Sequence, residues 1–312
     1  MANGMVLVTG AAGGRQGQTG RHVTEMLRAK GVPVRAFVHR LDERADRLRA
    51  LGAELFVGDF LDIRSVQRAV QGVSSIYFAY PVQDGLLDAT AIMAVAAREA
   101  KIARLVDLVM LRASPDAPTP RMRQNYLSEQ VFEWAGIGPV HIRATVFYEN
   151  LRALVRSGLA THGAIRLPWG SEGTVIPLVS AEDVARVATT LLTGPAAPAG
   201  TAYPLIGAVL TLRDIMATFS RVLGRDIQYE EIADEDWRRD ASARGYDPHA
   251  VEHLSQLWRA LRSAGSEARG FALTDVIENL GGAKAKTFEE FVREERNALL
   301  AEPIQGEAIH GA

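Results

Sequence analysis

The feature that most constrains this 312-residue chain is a glycine-rich loop near its N-terminus, set between an apolar run and a helical pattern. Four consecutive apolar residues, Met5–Val8, predict a buried strand. The helical pattern after the loop has Val23, Met26 and Leu27 on one face. The glycines of the loop are Gly10, Gly13, Gly14, Gly17 and Gly20. Because glycine has no Cβ and a helix N-terminus offers free N–H groups, this order can bring main chain close to a phosphate.

A strand, a glycine loop and a helix in this order are typical of a dinucleotide-binding site. The loop is longer and less regular than the usual G-x-G-x-x-G, and a flexible glycine-rich turn is the alternative. Arg15 is predicted to reach the pyrophosphate or a 2′-phosphate, and Gln16 the ribose, although Arg15 could equally point to solvent. The other predicted cofactor-binding positions here are Gly10, Ala12, Gly13, Gly17, Thr19 and Gly20.

Charge and composition exclude several classes of function. The chain has 35 basic and 37 acidic residues, a net charge of −2, and its basic residues do not cluster, so nucleic-acid binding has no electrostatic support. It contains no cysteine, which excludes disulfides, thiolate nucleophiles and cysteine metal sites. We see neither a signal peptide nor a run long enough to span a bilayer. We therefore expect a soluble, cytoplasmic protein that acts on a small molecule and binds neither nucleic acid nor membrane.

Apolar runs rich in Val, Ile and Leu alternate with helical patterns through the first half of the chain, which predicts a parallel sheet covered on both faces. The predicted fold class is α/β: a Rossmann-fold doubly wound parallel sheet with a smaller, mostly helical C-terminal lobe. Residues 1–150 form the predicted nucleotide-binding core, and 174–206 return to it. Residues 151–173 and 207–312 form the predicted substrate lobe.

The predicted second strand ends at His39 and Arg40, where NAD-binding proteins of this fold carry an acidic residue. A guanidinium suits a 2′-phosphate, so we expect NADP, with NADPH preferred over NADH. Two solvated surface residues are the alternative. Asp59 and Phe60 follow the third strand, where a carboxylate can accept the adenine amino group; a turn-forming aspartate would look the same.

The ends of later strands supply candidates for the nicotinamide half of the site. Ala79, Tyr80 and Pro81 follow the fourth strand and are predicted to border the nicotinamide ribose; a purely structural tyrosine is the alternative for Tyr80. Phe147 is predicted to pack on the nicotinamide. Tyr148 is the best-placed phenol for a proton donor, but a core aromatic residue is equally compatible.

One further motif, His249–His253, matches the H-x-x-E-H zinc pattern. It lies in a charged C-terminal segment with no other support for a metal site. We therefore expect no metal.

Taken together, these motifs resemble the NmrA-like family of atypical short-chain dehydrogenases/reductases. The glycine loop corresponds to the family's TGATG-x-x-G, and Gly52–Asp59 to its GAEVVxGD. Ile142–Asn150 is similar to the TxLRxGxFxEN segment, and Ser180–Ala185 to the DVA helix. Thr211–Ile215, with the later Gly-Arg pair at 224–225, resembles the lobe of NADPH-quinone reductases in this family.

The resemblance implies a reductase, but one without the usual catalytic relay. Classical members use a serine and a Y-x-x-x-K pair; here the fifth strand ends in Met110 and Leu111 where a serine pair is common, Arg121 falls at the tyrosine and Asn125 at the lysine. We therefore expect an NADPH-dependent oxidoreductase of electrophilic acceptors such as quinones or azo compounds, which need less acid catalysis. Tyr148 or Asn125 would hydrogen-bond the acceptor. The alternative is a non-catalytic NAD(P)-sensing regulator that binds a protein partner; a homodimer is left open.

Overall fold

The computed structural model describes residues 4–13, 18–152, 155, 159, 164–264 and 271–300. The strands are β1 Met5–Val8, β2 Val34–Val38, β3 Glu54–Val57, β4 Val73–Phe78, β5 Leu105–Met110, β6 Pro139–Ala144, β7 Val146–Phe147, β8 Ala164–Leu167, β9 Val175–Val179, β10 Ala202–Leu205, β11 Ala208–Thr211 and β12 Gln228–Glu231. The helices are α1 Thr19–Ala29, α2 Glu43–Ala50, α3 Ile63–Ala69, α4 Leu86–Glu99, α5 Pro120–Ala135, α6 Ala181–Thr193, α7 Leu212–Leu223, α8 Asp234–Ala243, α9 Pro248–Ala264, α10 Val276–Gly281, α11 Phe288–Glu294 and α12 Arg296–Leu300.

The chain forms two compact units from segments that alternate along the sequence. Unit 1 comprises Met1–Ala144, Ala181–Leu205 and Asp275–Lys284, and unit 2 comprises Thr145–Ser180, Ile206–Thr274 and Ala285–Ala312. These bounds differ from the predicted ones in three segments and at Ile206, which belongs to unit 2. Residues 145–150 and 174–180 belong to unit 2, because β7 and β9 pair with each other and β9 with β11. Residues 275–284 belong to unit 1, where the end of α10 is bonded to Arg186 of α6.

Unit 1 is built on a seven-stranded sheet in the order β3-β2-β1-β4-β5-β6-β10. Every neighbouring pair of strands is parallel. The inner strands are buried along most of their length, which explains why their sequences are apolar runs rather than alternating patterns. The predicted Rossmann fold is confirmed. Strand order reverses between β1 and β4, and open α/β sheets bind ligands at this point, beyond the carboxyl ends of the strands.

Unit 2 combines helices with two small sheets. The first sheet has the order β11-β9-β7, and the second pairs β12 with β8. The core of the unit contains large aromatic side chains, including Tyr148, Trp169, Phe219 and Phe288. The mostly helical C-terminal part is as predicted. Within the described residues, no helix has the length and apolar character needed to cross a membrane.

Candidate functional site

The carboxyl ends of β1 and β4 are fastened together by one threonine. The Thr9 hydroxyl donates to the Ala79 carbonyl at 3.0 Å and accepts from the Ala79 N–H at 2.7 Å. Tyr77, buried in β4, donates its hydroxyl hydrogen to Thr19 Oγ1 at 2.8 Å. Both predicted positions, Thr19 at the start of α1 and Ala79 after β4, are therefore held at the point where the strand order reverses.

The glycine loop crosses the start of α1 too closely for any side chain. A Cβ on Gly20 would lie 2.5 Å from the carbonyl oxygens of both Thr9 and Gly10. Gly10 and Gly13 each have a φ of +62°, in the left-handed region. A nearby main chain without Cβ atoms is the cradle that a pyrophosphate needs, so the residues present fit a bound dinucleotide.

The start of α1 is compatible with an anion. Its N-cap residue, Gln18, has a φ of 59° and makes no side-chain cap bond to the first turn, which also contains no acidic residue. The N–H groups of that turn and the helix dipole favour negative charge there. Ala12 is half-buried beside the loop. The predicted contacts of Arg15, Gln16 and Gly17 lie outside the described residues.

Basic side chains gather after β2 around a single carboxylate. His39 and Arg40 are both exposed, and Arg40 Nε lies 3.5 Å from Asp42 Oδ2. Asp42 caps α2 by accepting from the N–H groups of Arg44 and Ala45. The side-chain hydrogen bond from Arg44 lowers the pKa of Asp42 to about 2. Two guanidinium groups thus share one carboxylate, which leaves a net positive charge at the end of β2.

Arg44 is a candidate that the sequence analysis missed. Its Nη2 donates to Asp42 Oδ2 at 2.7 Å, and its Nη1 donates to the Gly13 carbonyl at 3.0 Å. It therefore connects the start of α2 to the glycine loop. An Asp-x-Arg sequence at a predicted helix start was the available signal, because an N-cap aspartate places the arginine two positions later in the first turn.

The predicted adenine-side residues lie against an aromatic cluster. Phe60 stacks on Phe37 with ring centroids 4.3 Å apart, and Tyr80 meets Phe60 edge-on at 5.9 Å. Asp59 is exposed, and its Oδ1 accepts from the Leu61 N–H at 2.9 Å. Asp59 therefore stabilises a turn, as the alternative interpretation of this residue predicted. Its role toward adenine stays a prediction.

The residues after β4 form a half-buried turn. The Tyr80 hydroxyl donates to the Asp84 carbonyl at 2.9 Å, and burial raises the pKa of this phenol. Pro81 follows, half-buried. These two residues occupy the end of the strand next to β1, the position predicted for the nicotinamide ribose.

Asn125 is buried in α5, and its Oδ1 accepts from the Met110 N–H at 3.4 Å. This contact ties α5 to the end of β5. The carboxamide oxygen is thereby used within the protein, so any bond from Asn125 to an acceptor would come from its amide nitrogen. That role stays a prediction.

The proton-donor role of Tyr148 stays a prediction, and the surroundings of this residue favour its alternative. Its side chain is fully buried in unit 2, and its hydroxyl donates to the Lys286 carbonyl at 3.1 Å. The ring lies 5.3 Å from the ring centroids of both Phe288 and Phe291. Full burial in an aromatic core favours the alternative, a core aromatic residue. Phe147 is half-buried in β7 of unit 2, and its contact with nicotinamide stays a prediction.

The H-x-x-E-H motif lies in α9. The described part of the chain contains no group of three or more His, Cys, Asp or Glu side chains placed to hold a metal ion.

Comparison with known proteins identifies a family over nearly the whole chain. Residues 2–292 match the NmrA-like family. A (4-alkanoyl-5-oxo-2,5-dihydrofuran-3-yl)methyl phosphate reductase from Streptomyces griseus is 30% identical, over 96% of this chain and 100% of that protein. An NAD(P)H azoreductase from Xenophilus azovorans is 26% identical, over 93% of this chain and 97% of that protein.

Solved structures share the fold at lower identity. An NADPH-dependent quinone oxidoreductase from Escherichia coli, complexed with NADPH, superposes with a TM-score of 0.77 at 22% identity, over 93% of this chain and 99% of that one. NmrA, a negative transcriptional regulator in complex with NADP, gives a TM-score of 0.74 at 21% identity, over 94% and 95%. Both an enzyme and a regulator therefore have this fold.

Proposed function

Because the chain belongs to the NmrA-like family, we propose that it is an NADPH-dependent oxidoreductase that reduces an electrophilic small molecule by hydride transfer. The observation that carries this proposal is the close crossing of Gly20 over the carbonyls of Thr9 and Gly10, in a loop whose Gly13 carbonyl accepts a bond from Arg44 of the basic group after β2. Two relatives that align over nearly their whole length are named as reductases.

In this proposal the glycine loop and the start of α1 hold the pyrophosphate. Arg40 and Arg44, with His39, hold the 2′-phosphate, because two guanidinium groups around Asp42 leave one positive charge unmatched. The preference for NADPH over NADH follows from that charge. When bound, NADPH supplies the hydride; the protein supplies orientation and a site protected from water.

We infer the class of acceptor from the residues that stand where the family has its catalytic relay. By the resemblance to the family, Arg121 and Asn125 fall where its relay has the tyrosine and the lysine, and Tyr148 is enclosed in the core of unit 2. An unactivated ketone needs a positioned acid, whereas hydride addition to an electron-poor conjugated bond gives a delocalised anion that bulk water can protonate after its release from the site. Quinones and azo compounds have such bonds, and so does the conjugated ring in the name of the Streptomyces griseus substrate.

The test is NADPH oxidation in the presence of a panel of quinones, azo dyes and alkanoyl butenolides, with cofactor binding measured by calorimetry. Tight NADPH binding and turnover of a panel member would support the proposal and rank the acceptor classes. Failure to bind NADPH would contradict it.

A second candidate is a dinucleotide-sensing regulator without catalysis. The departure of Arg121 and Asn125 from the family's relay favours it. Tight NADPH binding without turnover of any acceptor in the panel would favour this candidate.

A further inference from the structure

Arg121 is a buried cation whose position no part of the proposed chemistry explains. It lies in the first turn of α5 with 2% of its surface exposed. Its Nη2 donates to the carbonyls of Tyr80 at 3.0 Å and Pro81 at 2.7 Å, and its Nη1 donates to that of Gln83 at 3.0 Å. The guanidinium carbon lies 5.7 Å from the centroid of the Tyr80 ring. One side chain thus binds three carbonyls of a single turn, 80–83.

The charge of Arg121 is unusual for such a buried place. Burial lowers the pKa of the guanidinium to about 10, so it stays protonated at neutral pH. Its hydrogen-bond partners within the described chain are carbonyls, not carboxylates, and its buried Nε has no acceptor there. A buried cation is retained only where its contacts repay the loss of hydration. Here the hydrogen bonds from the planar guanidinium group to three carbonyl oxygens offset the loss of hydration.

Other contacts also hold the turn, since Thr9 bonds the adjoining Ala79 and the Tyr80 ring meets Phe60 edge-on at 5.9 Å. Gln83 N–H donates to the Pro81 carbonyl at 2.9 Å, and the Tyr80 hydroxyl donates to the Asp84 carbonyl at 2.9 Å. Both bonds are internal to the turn. Arg121 instead ties the turn to α5, whose next turn is tied to β5 through Asn125. It therefore helps to fix where the turn lies relative to the end of the sheet, through three of the turn's carbonyls.

We propose that Arg121 is a positioning residue for the nicotinamide half of the cofactor site, because it fixes the Tyr80–Gln83 turn through main-chain carbonyls. The inference rests on the proposed function, in which Tyr80 and Pro81 border the nicotinamide ribose. It assigns a role to the side chain that replaces the family's tyrosine. Arg121 acts through the turn and does not touch the reacting atoms.

The test compares two ligands that share one half. Arg121→Met keeps the length of the side chain and removes its charge and donors. We expect the dissociation constant of NADPH to rise about tenfold or more. That of adenosine 2′,5′-bisphosphate, which lacks the nicotinamide, should change by less than about twofold. Arg121→Lys keeps the charge but cannot form the fork, so its NADPH affinity should lie between those of Arg121→Met and the wild type.

The matched control is Arg123→Met, on the same helix. Arg123 is exposed and bonds a single carbonyl, that of Ala117. Neither dissociation constant should change in this variant. If circular dichroism shows that Arg121→Met does not fold, the comparison is made with Arg121→Lys. In that variant the ratio of the NADPH dissociation constant to that of adenosine 2′,5′-bisphosphate should still be higher than in the wild type.

The outcomes separate this inference from the function on which it rests. Equal weakening of both ligands in the Arg121 variants, or no weakening of either, would overturn the positioning role while leaving the proposed function intact. A wild-type protein that binds neither ligand would overturn both. Selective loss of NADPH affinity, with partial recovery in Arg121→Lys, would support the inference.

Discussion

At the scale of single residues, the end of β2 shows how one carboxylate organises two cations. The hydrogen bonds that Asp42 receives hold its pKa near 2, so the carboxylate is ionised across the usual working range. Arg44 donates two bonds to it, whereas Arg40 makes the longer contact of 3.5 Å and stays exposed. Arg40 can therefore turn toward a phosphate with a smaller loss of hydrogen bonds to Asp42 than Arg44 can.

The first prediction concerns Arg40→Asp. Reversing this charge should raise the dissociation constant of NADPH about tenfold to a hundredfold, because a phosphate loses a cation and meets an anion. The dissociation constant of NADH should change by less than about twofold, since NADH lacks the 2′-phosphate. Arg47→Asp, an equal change of charge at an exposed position of α2, is the control. Parallel loss of both cofactors in calorimetry would rule out Arg40 as the 2′-phosphate ligand.

The second prediction concerns Tyr148→Phe. The variant loses the bond to the Lys286 carbonyl but keeps the aromatic packing, so the free energy of unfolding should fall by about 1 kcal/mol. Turnover with the best acceptor should stay within about twofold, since the phenol is enclosed in the core. Denaturant unfolding and steady-state kinetics measure the two quantities. Loss of turnover in a variant of unchanged stability would return Tyr148 to the mechanism.

At the scale of elements, the placement of α1 on the end of β1 depends on one missing atom. Gly20→Ala would put a Cβ 2.5 Å from two main-chain carbonyl oxygens, which cannot move aside as a flexible side chain could. We expect a loss of about 3 kcal/mol in stability and weaker NADPH binding, because α1 must shift from the loop. Gly173→Ala, whose Cβ would meet only Ser171 Oγ at 3.7 Å, is the control. An unchanged melting temperature and affinity in Gly20→Ala would contradict this account.

The sequence predicted those features of the fold whose physical cause lies in a local pattern of residues. Apolar runs predicted the parallel strands, because those strands are buried on both faces. The role of Arg121 could not be predicted, because its three acceptors are main-chain carbonyls 38 to 41 positions away and carry no sequence signal. Tyr148 was ambiguous for a similar reason, since its core partners Phe288 and Phe291 lie far along the chain.

At the scale of the whole molecule, the chain leaves and re-enters each unit more than once. The short segment Asp275–Lys284 returns to unit 1 between two segments of unit 2. Within unit 1, Arg186 of α6 holds this return by donating to the carbonyls of Gly281, Ala283 and Lys284. The helix is short, and no periodicity distinguishes it from its neighbours, which is why the sequence did not predict its membership of unit 1.

Stability of the whole protein should also depend on a buried acid–base pair in unit 1. Asp107 of β5 and His141 of β6 are each 1% exposed and lie 3.3 Å apart. Glu133 lies 3.4 Å from His141 Nε2, while Glu129 and Arg121 also act on the pair electrostatically. Burial raises the pKa of Asp107. Burial, the largest single cause, opposes the charged form of His141, but the hydrogen bond to Asp107 and the negative charges of Asp107, Glu129 and Glu133 together outweigh it, so the pKa of His141 is raised.

The last prediction follows from the sign of these shifts. A histidine whose pKa is raised by folding contributes stability that is fully present below its unfolded pKa, about 6.5, and lost as the pH rises through the folded value. The raised pKa of Asp107 acts in the same direction from about pH 4 upward. The free energy of unfolding should therefore fall, relative to His141→Gln, as the pH rises above about 6.5. Denaturant unfolding at a series of pH values measures the difference, and parallel curves for the wild type and His141→Gln would show that the pair does not gain a proton on folding.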